Sequence, residues 1–512
     1  MFVKRLLPVA LAAACLTSPA FAQEKLHWIT LGDAALQQLQ KIAPKQQVRR
    51  SAQILPGAGL AAVEKVHLTQ ISESQLQELS DLIHKDLKRC GGFILHDSES
   101  QGLAALQGPR KTLLAAGRPS YMVAQQAVVK QVLPELQASN IAQTIIDLSN
   151  FTNRYYQTQS GVAASNWLLQ KWQTMAAGRS DITVEQFNHS WLQKSVILTI
   201  KGTDNASEVV VMGAHLDSIV QGGVNETTRA PGADDDASGV ASLTEALRAM
   251  LVKNYKPRRT IKLMAYAAEE VGLRGSQEIA TKFANENVNV VGVLQLDMTN
   301  YKGGANDIYL YTDYTDNLQT NFLANLISAY LPGIKIGYDK CGYGCSDHAS
   351  WYAKGYVTSM PFEAPMNSYN PNIHTANDTF ANSGGQAEHA LKFAKLAAAY
   401  AVELGSQGAT APSGDRTETF SGSLARNETK FFGPFRAQGG NQVRVSTSGT
   451  GDLDLYVRKG APASISVYDC KSDGSNSTEA CNLLETSPTD VYVMINGYRS
   501  STYTLNVTYK PM

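Results

Sequence analysis

The chain has 512 residues, with 45 basic and 45 acidic side chains and therefore a formal net charge of zero. Hydrophobic residues make up 43% and charged residues 18%, a globular composition that excludes a disordered protein. The length exceeds what one hydrophobic core supports, so we expect two or more domains. The charge balance gives no indication of a nucleic-acid or membrane partner.

Residues 1–22 have the three parts of a secretory signal peptide. A Lys-Arg pair at positions 4–5 precedes an apolar stretch over 6–16, and a small-residue cleavage site follows at 20–22. A membrane anchor would need about 20 apolar residues, and this stretch is shorter. Cys15 weakly resembles a lipoprotein site, which is the alternative. We expect export through this signal and an extracellular protein.

Residues 23–121 are expected to be a separate pro-segment, inhibitory or chaperone-like. Ser72 and Gln75 predict a capping box at the start of a helix. Apolar side chains then follow at helical spacing, at Leu76, Leu79, Ile83 and Leu87, and two glycines at 91–92 end the helix. Lys and Arg residues near 109–118 are candidate processing sites. An ordinary N-terminal domain is the alternative interpretation.

Residues 122–407 alternate between helical and strand patterns. Continuous apolar runs at 209–212, 260–268 and 290–296 are separated by helical segments. This pattern predicts an α/β fold with a mixed, mostly parallel central sheet flanked by helices. Ligands in such sheets gather beyond the carboxyl ends of the strands.

Metal-binding side chains follow these predicted strands. They are His215, Asp235, Glu270, Asp297 and His374. Two histidines and three carboxylates suit zinc, and five ligands are too many for one tetrahedral ion. If Asp235 is shared, each of two Zn²⁺ ions has three protein contacts and an open position for hydrolysis. Taken singly, each residue also fits a structural role, such as a hydrogen-bonded histidine or a turn aspartate.

Glu269, directly beside Glu270, is a candidate general acid/base that exchanges protons with water and the leaving amine. A solvated strand end is the structural alternative for this pair. Asp217, two residues after His215, could accept the other imidazole N–H and orient the ring. His189 and His348 are further histidines, and His348 is expected beside the site rather than as a ligand.

Residues 408–416 are predicted to be a linker, and 417–512 a C-terminal all-β sandwich. Apolar residues alternate with polar ones over three segments: Leu453, Leu455, Val457; Val491, Val493, Ile495; Tyr503, Leu505, Val507. In an exported protein, the local pairs Cys341/Cys345 and Cys470/Cys481 are expected to be disulfides. Cys90 is left without a local partner.

Six sequence blocks carry a family resemblance. They are AHLDS at 214–218, PGADDDASG at 231–239, AYAAEEVGLRGSQ at 265–277, LQLDMTNYKG at 294–303, CGYGCSDHASW at 341–351 and YNPNIHT at 369–375. Over residues 122–407 the chain resembles the secreted bacterial leucyl aminopeptidases of the M28 family of di-zinc peptidases. The C-terminal module resembles the bacterial pre-peptidase C-terminal domain.

The resemblance implies a zinc exopeptidase fold and a role for each site residue. Asp235 would bridge the ions, with His215 and Asp297 on one side and Glu270 and His374 on the other. The resemblance further implies Glu269 as general acid/base, Asp217 supporting His215, Tyr343 stabilising the oxyanion, a cis Asp235–Asp236 peptide, and an active-site disulfide Cys341–Cys345. Apolar pocket positions are matched by Met298, Met360, Phe362, Tyr369 and Ile373, with Tyr311 and Met366 departing from close relatives.

The expected protein is a secreted metalloprotease made as a zymogen, from a Gram-negative bacterium and monomeric. It would release N-terminal Leu-like residues from peptides and contact its own pro-segment. One alternative is a di-zinc carboxypeptidase or amidohydrolase on the same scaffold. A second alternative is a non-catalytic binding protein.

Overall fold

The computed structural model describes residues 25–54, 64–87, 91–107, 119, 121–407, 415–484 and 489–510. We call 25–107 the N-terminal unit, 121–407 the central domain and 415–510 the C-terminal sandwich. The predicted signal peptide, Cys15, Cys90, the candidate processing sites and most of the predicted linker lie outside the described residues. Within the described ranges, no helix combines the length and the apolar character needed to cross a lipid bilayer.

The N-terminal unit is a four-stranded antiparallel sheet covered by three helices. Its elements are β1 (Leu26–Gly32), α1 (Asp33–Ile42), β2 (Val48–Ile54), β3 (Glu64–Ser72), α2 (Glu73–Leu82), a π-helical turn (Ile83–Leu87), β4 (Phe93–His96) and α3 (Glu99–Ala105). The strand order is β2-β3-β1-β4. The sequence had predicted one helix here and none of the strands.

The predicted capping box is confirmed at the start of α2. The Ser72 hydroxyl accepts from the Gln75 N–H at 3.4 Å, and the Gln75 side chain accepts from the Ser72 N–H at 3.1 Å. Because these bonds satisfy free amide groups of the first turn, they fix where the helix begins. The regular helix ends at Leu82 rather than continuing to Leu87, and a π-helical turn follows.

The central domain is built on an eight-stranded mixed sheet. Its strands are β5 (Ile182–Phe187), β6 (Ser195–Ile200), β7 (Asn205–His215), β8 (Arg259–Tyr266), β9 (Asn289–Gln295), β10 (Ile308–Tyr311), β11 (Ile336–Asp339) and β12 (Thr358–Phe362). Their order is β11-β10-β12-β9-β7-β8-β6-β5. The four middle strands β12, β9, β7 and β8 are mutually parallel, which confirms the predicted sheet.

Helices cover both faces of this sheet. They are α4 (Gln126–Val132), a 3₁₀ turn (Leu133–Glu135), α5 (Ala138–Ser149), α6 (Gln159–Met175), α7 (Ala237–Val252), α8 (Arg274–Asn285), α9 (Asn317–Tyr330), α10 (His348–Ala353) and α11 (Glu388–Ser406). Along β7, Val210 and Met212 join the apolar core that includes α5, α7, α9 and α11. Val209 and Val211 point to the other face, against α8 and α10. Burial on both faces explains the continuous apolar runs.

The C-terminal sandwich consists of two four-stranded sheets, ordered β13-β20-β15-β18 and β14-β19-β16-β17. Its strands are β13 (Arg416–Leu424), β14 (Thr429–Ala437), β15 (Gln442–Thr450), β16 (Leu453–Lys459), β17 (Cys470–Ser472), β18 (Ala480–Leu484), β19 (Thr489–Gly497) and β20 (Ser501–Tyr509). The alternating residues predicted for three strands all fill one core between the sheets. The disulfides Cys341–Cys345 and Cys470–Cys481 are both present, as predicted.

Candidate metal centre

The five predicted ligands meet at one edge of the central sheet. His215 is the last residue of β7, Asp297 follows β9 by two residues, and Glu270 follows β8 by four. Asp235 lies in the loop between β7 and α7, and His374 in the loop after β12. Because β12, β9, β7 and β8 are parallel, their carboxyl ends lie side by side, where open α/β sheets bind ligands.

Asp235 lies between the two histidines. Its Oδ1 is 2.8 Å from Nε2 of His215, and its Oδ2 is 2.8 Å from Nε2 of His374. Asp297 Oδ1 lies 3.6 Å from His215 Nε2, and Glu270 Oε2 lies 2.9 Å from His374 Nε2. All five side chains are at most 3% exposed. The residues thus form two groups, and one carboxylate oxygen of Asp235 faces each group.

Several oxygen atoms of these side chains and of the neighbouring Glu269 have no hydrogen-bond partner within the part of the chain that the structure describes. They are both carboxylate oxygens of Glu269, Oε1 of Glu270 and Oδ1 of Asp297. Burying polar atoms without partners is costly unless a ligand satisfies them. A buried set of imidazole nitrogens and carboxylate oxygens matches the preference of zinc, so the residues fit two such ions.

Crowding of buried carboxylates shifts their protonation. Burial raises the pKa of Glu269 well above its usual range; nearby His215 opposes the rise, and Asp347 and Glu270 add to it. Burial likewise raises the pKa of Glu270 to about 7. Burial alone would lower the pKa of His374, but Glu270 and Asp235 outweigh it and raise the pKa to about 10. Bound cations would relieve this repulsion.

Further carboxylates hold the loops that carry the ligands. Asp236 accepts from the amide N–H groups of His215 at 3.0 Å, Gly239 at 2.8 Å and Met298 at 3.1 Å. Asp378 accepts from the amide of Asp234 at 3.0 Å and from that of Asp235 at 3.1 Å. Each carboxylate therefore fixes the backbone beside a predicted ligand.

Asp217 supports the site in a different way from the one expected. Its carboxylate accepts from the amides of Glu269 at 2.9 Å and Glu270 at 3.2 Å. Nδ1 of His215 instead contacts the main-chain carbonyl of Asp217 at 3.1 Å, and the nearest side-chain oxygen is 3.7 Å away. The carboxylate is occupied by two amide donors, so the carbonyl orients the imidazole.

The loop before α7 and the first turn of that helix have little freedom. A Cβ on Gly239 would lie 2.4 Å from Asp236 Oδ1 and 2.7 Å from the Leu296 carbonyl, so only glycine fits there. The peptide bond between Asp235 and Asp236 is cis, as the resemblance implied. The acidic run therefore has separate tasks: Asp235 faces the two histidines, and Asp236 anchors the start of α7.

The predicted pocket residues Met298, Met360, Phe362, Tyr369 and Ile373 come together in one apolar cluster. The same cluster contains the two other pocket positions, Tyr311 and partly buried Met366, and the disulfide cysteines Cys341 and Cys345. Met298 immediately follows Asp297, and Ile373 immediately precedes His374. Two chain segments thus join the apolar cluster directly to the predicted ligands Asp297 and His374.

The N-terminal unit covers this edge of the sheet. The hydroxyls of Thr30 and Tyr343 share a hydrogen bond of 2.5 Å, and Thr30 also contacts His96 Nε2 at 2.7 Å. The Ser80 hydroxyl donates to the Glu270 carbonyl at 3.4 Å. The predicted oxyanion-stabilising tyrosine is therefore bonded to the N-terminal unit.

His84 comes closer still to the ligands. Its ring centroid lies 3.8 Å from that of His374, and one of its ring nitrogens lies within 4.8 Å of donor atoms of Glu270 and His374. Sequence analysis missed this residue. The only signal was a histidine directly after the core position Ile83, which predicts a partly buried imidazole but not its neighbour.

Two other residues near the site were also missed. The Ser346 hydroxyl donates to Asp297 Oδ2 at 2.6 Å, and Gln295 donates to Asp347 Oδ2 at 3.2 Å. Burial raises the pKa of Asp347 to about 7. The third member of this run, His348, contacts the Asp313 carbonyl at 3.3 Å.

A mixed sheet with histidines and carboxylates converging at its carboxyl edge defines a metal-dependent hydrolase. The chain belongs to peptidase family M28, whose profile matches residues 195–401. The bacterial pre-peptidase C-terminal domain matches residues 434–497. The resemblance to the M28 peptidases and that of the C-terminal module to the pre-peptidase C-terminal domain are thereby confirmed.

Similar proteins include leucine aminopeptidase 1 of Aspergillus oryzae, 38% identical over 285 residues that make up 52% of this chain and 72% of that protein. Among solved structures, the LapA aminopeptidase of Legionella pneumophila is 32% identical, with a TM-score of 0.63, and the match covers 75% of this chain and 99% of LapA. LapB of the same organism is 28% identical, with a TM-score of 0.60, covering 74% and 100% of the two chains.

Proposed function

We propose that this chain is a di-zinc aminopeptidase that releases N-terminal, preferably large apolar residues from peptides. The observation that carries the proposal is the placement of Asp235, with one carboxylate oxygen 2.8 Å from each of two histidine nitrogens. That placement is what a carboxylate shared by two cations requires. Relatives named leucine aminopeptidase support the choice of the N-terminal end of the substrate.

Each ion would have three protein ligands. His215 and Asp297 would hold one ion, Glu270 and His374 the other, and Asp235 would join both. When bound, two zinc ions polarise a peptide carbonyl and promote the ionisation of water. The buried edge of the sheet supplies the low-polarity surroundings in which such charges act strongly.

Glu269 would move the protons. Its carboxylate is buried beside the ligand Glu270, and neither of its oxygens has a hydrogen-bond partner among the described residues. It would accept a proton from the attacking water and return it to the departing amine. Because Asp217 fixes the amides of both glutamates, the proton-transfer group and the ligand keep a constant separation.

The apolar cluster around Met298, Met360 and Phe362 would receive the side chain of the N-terminal residue. Burying a leucine side chain there contributes about 1.5–3 kcal/mol. Tyr343 would stabilise the oxyanion after its hydroxyl is released from Thr30. We therefore propose that residues 23–121 form an inhibitory pro-segment of an exported, monomeric zymogen, and that residues 1–22 are its signal peptide.

A di-zinc carboxypeptidase or amidohydrolase would use the same ligands, whereas a non-catalytic binding protein would not hydrolyse any substrate. The test is hydrolysis of Leu-p-nitroanilide and of its N-acetyl derivative, after proteolytic removal of the N-terminal unit. We expect only the free amine to be cleaved, because acetylation removes the charge that an aminopeptidase recognises. Equal cleavage of both compounds, or of neither, would contradict the proposal; cleavage of a blocked Gly-Leu dipeptide alone would favour a carboxypeptidase.

A further inference from the structure

We propose that His84 is a metal ligand, completing the ion site of Glu270 and His374 while the N-terminal unit is attached. The inference rests on the proposed metal-dependent function and adds a residue from outside the central domain. According to this inference, the N-terminal unit not only covers the site but also binds the catalytic ion directly.

The first argument is proximity. One donor atom each from His84, Glu270 and His374 lie within 4.8 Å of one another, and all three side chains are buried. The donor atoms of His215, Asp235 and Asp297 also lie within 4.8 Å of one another. The two imidazole rings, 3.8 Å apart between centroids, are inclined by 40° rather than stacked face to face.

The second argument is an unsatisfied side chain. His84 is 4% exposed, and neither of its ring nitrogens has a hydrogen-bond partner within the described parts of the chain. The other buried histidines of the unit, His27, His67 and His96, each contact an oxygen of a partner side chain at 2.5–2.8 Å. A buried imidazole without such a partner is destabilising, and a cation at this place would satisfy one nitrogen.

The third argument is how the chain holds His84 in position. The residue lies in the π-helical turn Ile83–Leu87, a local distortion that often marks functional sites. Just before it, Ser80 donates to the Glu270 carbonyl at 3.4 Å, and Asp81 accepts from the Gly222 amide at 3.1 Å. Ile83, next to His84, is fully buried in the core of the unit. These contacts fix the backbone directly before the imidazole.

The consequence concerns coordination. Asp235, Glu270 and His374 offer three donors, which would leave a position open for catalysis. A neutral imidazole from His84 would be the fourth donor and would take that position. By linkage, the ion would strengthen attachment of the N-terminal unit, and the unit would strengthen binding of the ion by the same factor.

The test compares zinc affinity in the full chain, before any cleavage, using a chromophoric chelator as competitor. The variants are His84→Phe, which keeps an aromatic ring against His374, and His67→Gln, a matched control in the same unit that faces Asp33. Loss of a neighbour of a metal ligand typically costs 10–100-fold in affinity. For His84→Phe we expect zinc affinity at one of the two ion sites to fall at least about 10-fold. For His67→Gln we expect no change in zinc affinity.

If His84 has only a structural role, His84→Phe should leave zinc affinity unchanged. Because the substitution removes two unsatisfied buried nitrogens, we expect the stability of the metal-free protein to stay equal or to increase. Equal zinc affinity of wild type and His84→Phe would overturn the inference while leaving the proposed function intact. Binding of no zinc by any form would overturn both.

A second measurement needs no variant that might misfold. In the wild-type full chain loaded with Co²⁺, each coordinated histidine gives one paramagnetically shifted imidazole N–H resonance. We expect three such resonances before cleavage, from His84, His215 and His374, and two after removal of the N-terminal unit. Two resonances in both states would exclude His84 as a ligand.

Discussion

The N-terminal unit and the C-terminal sandwich are attached to the same domain in different ways. Residues Val66, Leu68 and Ile94 of the N-terminal unit share one apolar cluster with Leu273 and Tyr343 of the central domain. In contrast, both apolar clusters of the sandwich contain only residues of the sandwich itself. One unit has part of its core in the catalytic domain, and the other has a core of its own.

Their polar contacts show the same difference. Thr30 and Ser80 of the N-terminal unit bond to Tyr343 and to the Glu270 main chain. A Cβ added to Gly91 would lie 2.5 Å from the Gly344 carbonyl, so the two backbones are in close contact. The sandwich instead meets the first residues of the central domain, where Arg444 contacts Met122. This difference is the basis of our proposal that the N-terminal unit, and not the sandwich, controls the site.

Control by the N-terminal unit matters only if the metal centre that it covers is catalytic. The substitution Glu269→Gln tests this, and we expect it to have the largest effect. The amide keeps the size of the side chain but cannot accept a proton at neutral pH, so kcat should fall by about 10²–10⁴-fold. Zinc content, measured by atomic absorption, should stay unchanged because Glu269 is not a proposed ligand. A loss of less than tenfold would remove Glu269 from the proton transfer.

Selective cleavage tests whether release of the N-terminal unit raises activity, and we expect the next largest effect from it. A protease site engineered within residues 108–118 should raise kcat/KM on Leu-p-nitroanilide after cleavage and dissociation of the N-terminal unit. If fewer than about one molecule in ten exposes its site before cleavage, the rise exceeds about tenfold.

The matched control carries the same protease site within residues 408–414 and releases the sandwich. Since the sandwich has a self-contained core, kcat/KM should not change. A rise after release of either unit would show that the two attachments are equivalent.

The hydroxyl of Thr30 provides a further test, with the smallest expected effect. Thr30→Val removes its bond to the Tyr343 hydroxyl, together with its contact to His96 Nε2, without changing the shape of the side chain. A buried hydrogen bond contributes about 0.5–1.5 kcal/mol, so residual activity of the uncleaved chain should rise about two- to tenfold. Initial rates on Leu-p-nitroanilide measure this change.

The equivalent substitution in the sandwich is Thr417→Val, which removes an exposed bond to Thr508. It should leave the residual activity unchanged. If both substitutions raise activity equally, the effect of Thr30→Val does not come from its contact with Tyr343.

The sequence was most informative where function depends on local order along the chain. His215, Glu270 and Asp297 each end or follow an apolar strand, and parallel pairing brings strand ends together without further information. Three of the eight described strands of the sandwich, β16, β19 and β20, were predicted because one buried face imposes alternation. The start of helix α2 was predicted from its capping residues because a capping box involves only neighbouring positions in the sequence.

Contacts between distant segments could not be predicted in this way. Thr30 and Tyr343 are 313 positions apart, and neither has a pattern that indicates the other. His215 contacts the main-chain carbonyl of Asp217 because the Asp217 carboxylate accepts from the amides of Glu269 and Glu270. Those amides belong to the loop after β8, which is distant in sequence from Asp217. His84 was missed because its significance depends on docking of a whole unit, not on its own helix.

Asp236 has a consequence for metal exchange. One carboxylate ties together the amides at the end of β7, at the start of α7 and after β9. These hydrogen bonds hold the backbone of the segments that carry His215, Asp235 and Asp297, so we expect the spacing of these proposed ligands to depend little on the radius of a bound cation. Cobalt or manganese should enter a cradle of unaltered dimensions, so swapping ions would tune reactivity while leaving the architecture untouched.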